Sequence, residues 1–229
     1  MGAAAAPVSP EETRAFLERR YRVAIGAVAP LGAGAWSRAY RFDRDGARWV
    51  IRWSDLADNF ARDAFAARFA RADLPIPAII DLGQDRLGYF AVSRFVAGED
   101  YEELPAARLR DLLPSLLATL RALRRVDLAG TAGFGIWDGT GAGRSSSWHA
   151  FLLDDLDTSP GSLIRGWRAR LATSPLGSGI YDALWQRFTP LVARCPNARG
   201  LVHSDLLNHN VLARDGRITA VLDWGSSLY

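Results

Sequence analysis

The sequence predicts an α+β protein in which a β-rich first part is followed by a helical second part. Two observations carry this reading. Short apolar, strand-like stretches cluster before Phe95, whereas long leucine- and alanine-rich stretches with helical spacing follow Gly98. The change at Phe95–Gly98 divides the 229 residues into an N-terminal lobe, 1–96, and a C-terminal lobe, 97–229. A cleft between two such lobes is a common ligand site.

The elements follow in order. Ser9-Pro10-Glu11-Glu12 predicts a helix start: Ser9 caps, Pro10 suits the first turn, and Glu12 completes a capping box. That helix is expected to run to about Arg20. Strand-like stretches follow at Val23–Leu31, Trp36–Phe42 and Arg48–Trp53, the last two joined by the turn signal Asp43-Arg44-Asp45-Gly46. Phe60, Ala64, Phe65, Ala67 and Phe69 predict a helix over Asp58–Ala72, ended by Leu74-Pro75-Ile76-Pro77. Two more strands are expected at Ala78–Leu82 and Gly88–Phe95. Beyond Gly98, helices are predicted at Pro105–Arg124, Ser147–Leu156, Ser162–Ala172 and Tyr181–Arg194, with a Gly-rich loop over Gly130–Gly143.

Composition narrows the function. Hydrophobic residues make up 49% and charged residues 23%, enough to bury a core. The net charge is +3, and all 28 basic residues are arginine, which stays charged and grips phosphate as a fork. The arginines are scattered among acids with no basic run, so nucleic acid is not the expected partner. No apolar run approaches the roughly 18 residues of a membrane span. MGAAAAPVSP lacks the basic start and long apolar stretch of a signal peptide, and Ala6 stands where a myristoylation signal has Ser or Thr. Cys195 is the only cysteine, so no internal disulfide can form, which suits a reducing compartment. A cytoplasmic monomer is expected.

The chemistry gathers near the end of the chain, in LVHSDLLNHNVLARDGRITAVLDW. It contains H-x-D-x-x-x-x-N, the pattern in which kinases use the Asp to accept a hydroxyl proton and the Asn to hold magnesium. Asn210–Ala213 and Ile218–Leu222 read as strands around Asp215-Gly216, a strong hairpin turn. With Arg214 facing Arg217, Asn210 faces Val221, and Asp223 leaves the same sheet face. The two side chains are then diagonal neighbours about 7–8 Å apart, able to share magnesium. Asp205 stands on the loop just before. His203 reads as a packing and hydrogen-bonding residue rather than the base. His149 and His209 show no partner pattern, and Ser204 lacks a nucleophile-elbow context.

The first lobe offers nucleotide contacts. Gly32-Ala33-Gly34-Ala35-Trp36-Ser37 lies between two expected strands, where backbone amides can approach phosphates; Ser37 stands where the kinase pattern has its third glycine. Arg52 ends the third strand, where kinases carry a phosphate-contacting lysine. Its acidic partner is expected from the following helix, with Asp63 the better placed and Asp58 the rival. Asp154, Asp155 and Asp157 in FLLDDLD are the most acidic cluster of the second lobe, and either contact a cationic substrate or form a solvated helix end.

The segment ending in LDW, together with LPIPAIIDLG, WVIRWS, SRFVAG and TAGFGIW, resembles the aminoglycoside phosphotransferase family from about Phe16 to Tyr229. The resemblance implies a two-lobed, protein-kinase-like fold. It implies Asp205 as catalytic base, Asn210 and Asp223 as ligands of Mg2+, and Arg52 on the phosphates of ATP or GTP. Backbone around Ser93, Arg94 and Phe95 would bind the base. The implied acceptor is an aminoglycoside or aminocyclitol antibiotic such as hygromycin B, with resistance as the outcome. Family members continue beyond the position of Tyr229 with helices that complete the second lobe and much of the acceptor pocket, so those helices are expected to be absent here. Two other readings stand beside this one: a kinase of the same fold acting on choline, homoserine or a sugar, and a nucleotide-binding protein without turnover.

Overall fold

The computed structural model describes residues 8–33, 37–154, 165–206 and 209–229. Helix α1, Pro10–Tyr21, opens with both halves of its capping box: the Glu12 N–H donates to Ser9 Oγ at 3.1 Å and the Ser9 N–H to Glu12 Oε2 at 2.9 Å. It ends where Arg22 turns left-handed (φ 56°) and its N–H closes on the Glu18 carbonyl at 2.9 Å. Its inner face, Thr13, Phe16 and Leu17, lies on an antiparallel sheet of β1 (Val28–Ala33), β2 (Arg38–Arg44), β3 (Ala47–Ser54), β4 (Ile79–Asp85) and β5 (Gly88–Arg94). The sheet order is β1-β2-β3-β5-β4. The β2–β3 turn places Asp45 and Gly46 at φ 53° and 72°, the left-handed pair that an Asp-Gly hairpin needs.

Burial alternates along β3. Trp49, Ile51 and Trp53 point into a core with Phe16, Leu17, Phe42, Phe90 and Val92. Arg52 therefore leaves the opposite face. Helix α2, Ala57–Ala66, follows and tightens into a 3-10 turn at Ala67–Phe69. The helix is shorter than its periodicity predicts because Arg71 and Leu74 exchange backbone hydrogen bonds at 3.0 Å and turn the chain.

After β5, Gly98 leads into the short strand β6, Glu99–Asp100, and helix α3, Ala106–Arg124. The stretch expected to be a plain loop instead holds a hairpin of β7 (Phe134–Trp137) and β8 (Gly143–Ser145). The described helices that follow are α4 (Trp148–Leu152), α5 (Trp167–Ala172) and α6 (Gly179–Val192). The chain closes with β9 (Val211–Arg214), β10 (Arg217–Val221) and a 3-10 turn at Trp224–Ser226. β6, β9 and β10 form a second, three-stranded sheet in the order β10-β9-β6.

A second core gathers Phe65, Leu74, Ile76, Leu112, Leu123, Trp137, Val211, Val221, Trp224 and Tyr229. Trp137 is fully buried and stacks on Tyr229 at 5.6 Å, while Gly135 and Tyr229 exchange backbone hydrogen bonds at 3.0 Å. Residues from α2 and the segment after it thus pack with the C-terminal hairpin, and the Val221 N–H donates to the Pro75 carbonyl at 2.8 Å. Among the described residues, no helix is long and apolar enough to cross a membrane.

Candidate functional site

The site is built around a buried histidine. His203 is 2% exposed and sits edge-on to Trp224, with ring centroids 4.6 Å apart. Its Nε2 lies 2.8 Å from the Leu222 carbonyl, which can only accept, so Nε2 carries the proton. Burial holds the imidazole below its usual pKa, although Leu222, Asp223, Asp205 and Asp63 oppose the shift. A ring that is committed through Nε2 to the carbonyl just after β10 positions the loop and is poorly placed to take a substrate proton.

Asp205 follows on that loop. The Asn210 Nδ2 donates to the Asp205 carbonyl at 2.8 Å and to its Oδ2 at 3.1 Å. The side chain of Asn210 is thereby locked to the backbone and the carboxylate of Asp205 at once. Residues 207 and 208, between them, lie outside the described residues.

The hairpin differs from the expected register. Arg214 faces Arg217, but a bulge at Thr219 shifts the pairing, so Val221 faces Val211. The Leu222 N–H then donates to the Asn210 carbonyl at 2.8 Å. The bulge is held by the Thr219 hydroxyl, which reaches the Ala97 carbonyl at 3.1 Å and the Leu212 carbonyl at 3.2 Å. Strand alternation therefore does not aim Asp223. A left-handed backbone does, at φ 55° and ψ 78°, with its Oδ1 accepting from the Gly225 N–H at 3.3 Å. Burial, and then the charge of Asp63, push the Asp223 carboxyl above its usual pKa; Arg52 pulls it back.

Arg52 and Asp63 form an ion pair between β3 and α2, and Arg52 also lies over the Phe60 ring at 5.0 Å. Asp63 is 4% exposed, and its other oxygen accepts from the Trp224 N–H at 2.7 Å. One carboxylate thus joins the sheet arginine to the residue after Asp223. Asp58, the rival partner, turns to Arg62 and Arg144.

The remaining expected contacts are less concentrated. Gly32 lies inside β1 rather than in a loop, at a bulge opposite Ala39, and a Cβ there would meet open space. Its lack of a side chain is not enforced by packing. Gly34 lies outside the described residues, and Ser37 leads into β2. Ser93 pairs with Val50 on one side and Ile79 on the other, and Arg94 lies over the Trp49 ring at 5.0 Å. The Phe95 N–H donates to the Arg48 carbonyl at 3.1 Å, so a nucleotide base would use other backbone groups of this segment. Asp154 is exposed after α4, while Asp155 and Asp157 lie outside the described residues.

Two histidines do have partners. His149 Nε2 lies 2.7 Å from the Cys195 carbonyl. His209, left-handed at φ 60°, sets Nδ1 2.7 Å from Asp100 and Nε2 3.4 Å from Glu102. The acidic run Glu99-Asp100-Tyr101-Glu102-Glu103 was the sequence signal for the latter.

The family model for the phosphotransferase enzyme family matches residues 27–229. This chain belongs to that family. It is 32% identical over 208 residues to the hygromycin-B 4-O-kinase of Escherichia coli, which covers 90% of this chain. The chain spans 59% of that relative's length. Among solved structures, a thermostable mutant of aminoglycoside phosphotransferase APH(4)-Ia, in a ternary complex with AMP-PNP and hygromycin B, superposes with a TM-score of 0.83 at 29% identity. That match covers 94% of this chain and 71% of the other. Spectinomycin phosphotransferase APH(9)-Ia, in complex with ADP and spectinomycin, matches at TM-score 0.55 and 13% identity over 97% of this chain and 70% of the other, which speaks for the fold alone. The phosphotransferase fold is accordingly kinase-like, of the α+β class.

A phosphotransferase of this kind implies magnesium, and the residues present fit it. Asp223 is a desolvated carboxylate beside a second one, which a cation would stabilise. Asn210 spends its Nδ2 on Asp205, leaving Oδ1 as its acceptor. Among the described residues, no group of three or more His, Cys, Asp or Glu could hold a metal. Magnesium needs no such cage, because it keeps waters and substrate phosphates beside one or two protein ligands.

Proposed function

We propose that this chain transfers the γ-phosphoryl group of ATP or GTP to a hydroxyl of an aminoglycoside or aminocyclitol such as hygromycin B. The observation that carries the reading is the joined pair Asp205–Asn210 beside the desolvated Asp223, in a chain related to a hygromycin-B kinase. Asp205 accepts the acceptor's hydroxyl proton as the oxygen attacks the γ-phosphorus and the bond to the β-phosphate oxygen breaks. Asn210 holds Asp205 in place for that step. Asn210 and Asp223 would also hold Mg2+, which when bound neutralises charge on the phosphates. Arg52, steadied by Asp63 and Phe60, reaches the same phosphates from the sheet.

In this reading, residues 1–96 form the nucleotide lobe and 97–229 the acceptor lobe. Gly32, Gly34 and Ser37 border the phosphates, and backbone of 93–95 borders the base. Asp154, with Asp155 and Asp157, would meet an acceptor's ammonium groups, as a polycationic substrate favours acidic surroundings. A cytoplasmic monomer without nucleic-acid or membrane partners, conferring antibiotic resistance, belongs to the same reading.

The test is mass spectrometry of hygromycin B after incubation with the protein, magnesium and either nucleotide. The expected result is a product heavier by one phosphoryl group. Phosphorylation of choline, homoserine or a sugar with hygromycin B untouched would keep the transfer chemistry and replace the acceptor.

A further inference from the structure

Arg62 is a buried cation that the chemistry above leaves unused. It lies on α2 one residue before Asp63 and is 7% exposed. Its Nη1 donates to the Gly225 carbonyl. The carboxylate nearest to it, Asp58, lies 3.6 Å away, is 67% exposed, and is shared with Arg144 at 3.5 Å. Such a solvated, divided pair contributes little. The Arg62 Nε is buried with no hydrogen-bond partner in the structure. Burial holds the guanidinium below its usual pKa, and Arg144 adds to the effect, against Asp58 and Asp138. Burying such a group is unfavourable unless hydrogen bonds compensate it, and its close contact is the Gly225 carbonyl.

That contact falls on the segment that aims Asp223. Asp223 occupies a left-handed conformation, which a non-glycine residue keeps only when its surroundings over-determine it. α2 supplies the determination on two successive residues: Asp63 accepts from the Trp224 N–H, and Arg62 donates to the Gly225 carbonyl. A donor and an acceptor on neighbouring residues fix both the position and the rotation of the chain between them. Asn59, one turn earlier on the same helix face, closes the third side: a Cβ built on Gly225 would lie 2.9 Å from its Cγ. The contact of Arg62 with this segment is to the Gly225 carbonyl, two residues beyond Asp223.

We propose that Arg62 is a positioning residue for the magnesium-binding Asp223, acting through the Gly225 carbonyl as one jaw of a clamp formed by α2. The proposal rests on the phosphotransfer reading. The helix that carries Asp63 toward Arg52 then also sets the metal loop, so phosphate arm and metal ligand are placed by one element.

The experiment is titration calorimetry of ADP binding at a series of Mg2+ concentrations, for wild type, Arg62→Met, Arg62→Lys and Gly225→Ala. Arg62→Met is expected to raise the Mg2+ concentration needed for half-maximal enhancement of binding by roughly tenfold, with metal-free ADP affinity changed by less than about twofold. Arg62→Lys, which can still donate to the carbonyl, is expected to recover most of the loss. Unchanged Mg2+ dependence in a folded Arg62→Met protein overturns the proposal, as does an equal loss with and without metal, which marks plain structural support. Should Arg62→Met not fold, Gly225→Ala decides: with Arg62 intact, its Cβ would crowd both Asn59 and the Asp223 Oδ1, 3.1 Å away, and wild-type Mg2+ dependence there overturns the clamp. Wild-type protein whose nucleotide binding ignores Mg2+ overturns the phosphotransfer reading itself, and the clamp with it.

Discussion

Three carboxylates, Asp63, Asp205 and Asp223, act on one neutral imidazole, His203. The crowding is tolerated because Arg52 and the Trp224 N–H hold Asp63, and Asn210 holds Asp205. Asp223 keeps the Gly225 N–H and the pull of Arg52, but burial and the charge of Asp63 outweigh them, and the proposed Mg2+ would relieve that. Asp223→Ala is therefore expected to weaken Mg2+-dependent nucleotide binding by more than about 100-fold, beyond the usual loss for an outer-shell partner. Calorimetry with and without metal checks it. His203 makes a prediction about pH. Its folded pKa lies below its unfolded value of about 6.5, so its stabilising contribution is present above that pH and is lost as pH falls through the folded value. The melting temperature should fall as pH drops below about 6.5, and His203→Gln, which keeps a donor for the Leu222 carbonyl, should flatten that slope. His209 works in the opposite sense, since Asp100 and then Glu102 raise its pKa, so the comparison with His203→Gln is the one that isolates the buried ring. The motif residues were legible because chemistry demands their types at that spacing. The left-handed backbones of His209 and Asp223 were not, because a non-glycine residue does not announce a positive φ. Arg62 was invisible for a similar reason: its partner is a carbonyl, and every residue has one.

At the scale of elements, the hairpins show what local sequence can and cannot specify. Asp45-Gly46 and Asp215-Gly216 both take the left-handed pair that their dipeptides favour, and both turns were readable. The bulge at Thr219 was not, since it depends on a hydroxyl reaching Ala97, 122 residues earlier in the chain. One shifted residue changed how Asp223 is delivered, while the Leu222 N–H before it still meets the Asn210 carbonyl. The β7–β8 hairpin was missed because its glycines read as loop, whereas its pairing is stabilised by Trp137 and Tyr229 far apart in the chain. The same bulge explains Gly98. A Cβ there would lie 2.7 Å from Thr219 Oγ1 and 2.9 Å from Leu212 Cβ. Gly98→Ala is expected to lower stability by about 1–3 kcal/mol through overpacking, read as a lower denaturation midpoint at unchanged slope. An unchanged midpoint would mean that the junction yields freely.

At the scale of the molecule there are two cores, and α2 adds Phe65 and Ala66 to the second. The first was legible from the alternation of Trp49, Ile51 and Trp53 and the inner face of α1. The second draws Phe65 and Leu74 together with Val211, Trp224 and Tyr229, a long-range assembly that periodicity alone cannot announce. Trp137→Ala, which empties a fully buried site at the end of this core, should cost about 3–5 kcal/mol in chemical denaturation. In the function proposed here, α2, which packs on β4, on β5 and on the turn after Asp223, would set the phosphate arm and the metal loop together. The central claim is that Asp205 performs the proton transfer and does not bind the nucleotide. It is tested most directly by measuring nucleotide affinity and single-turnover transfer to hygromycin B for wild type and Asp205→Ala side by side. The account predicts ADP affinity within about twofold of wild type and a transfer rate lower by about 100- to 10,000-fold. Transfer at the wild-type rate in Asp205→Ala would contradict it.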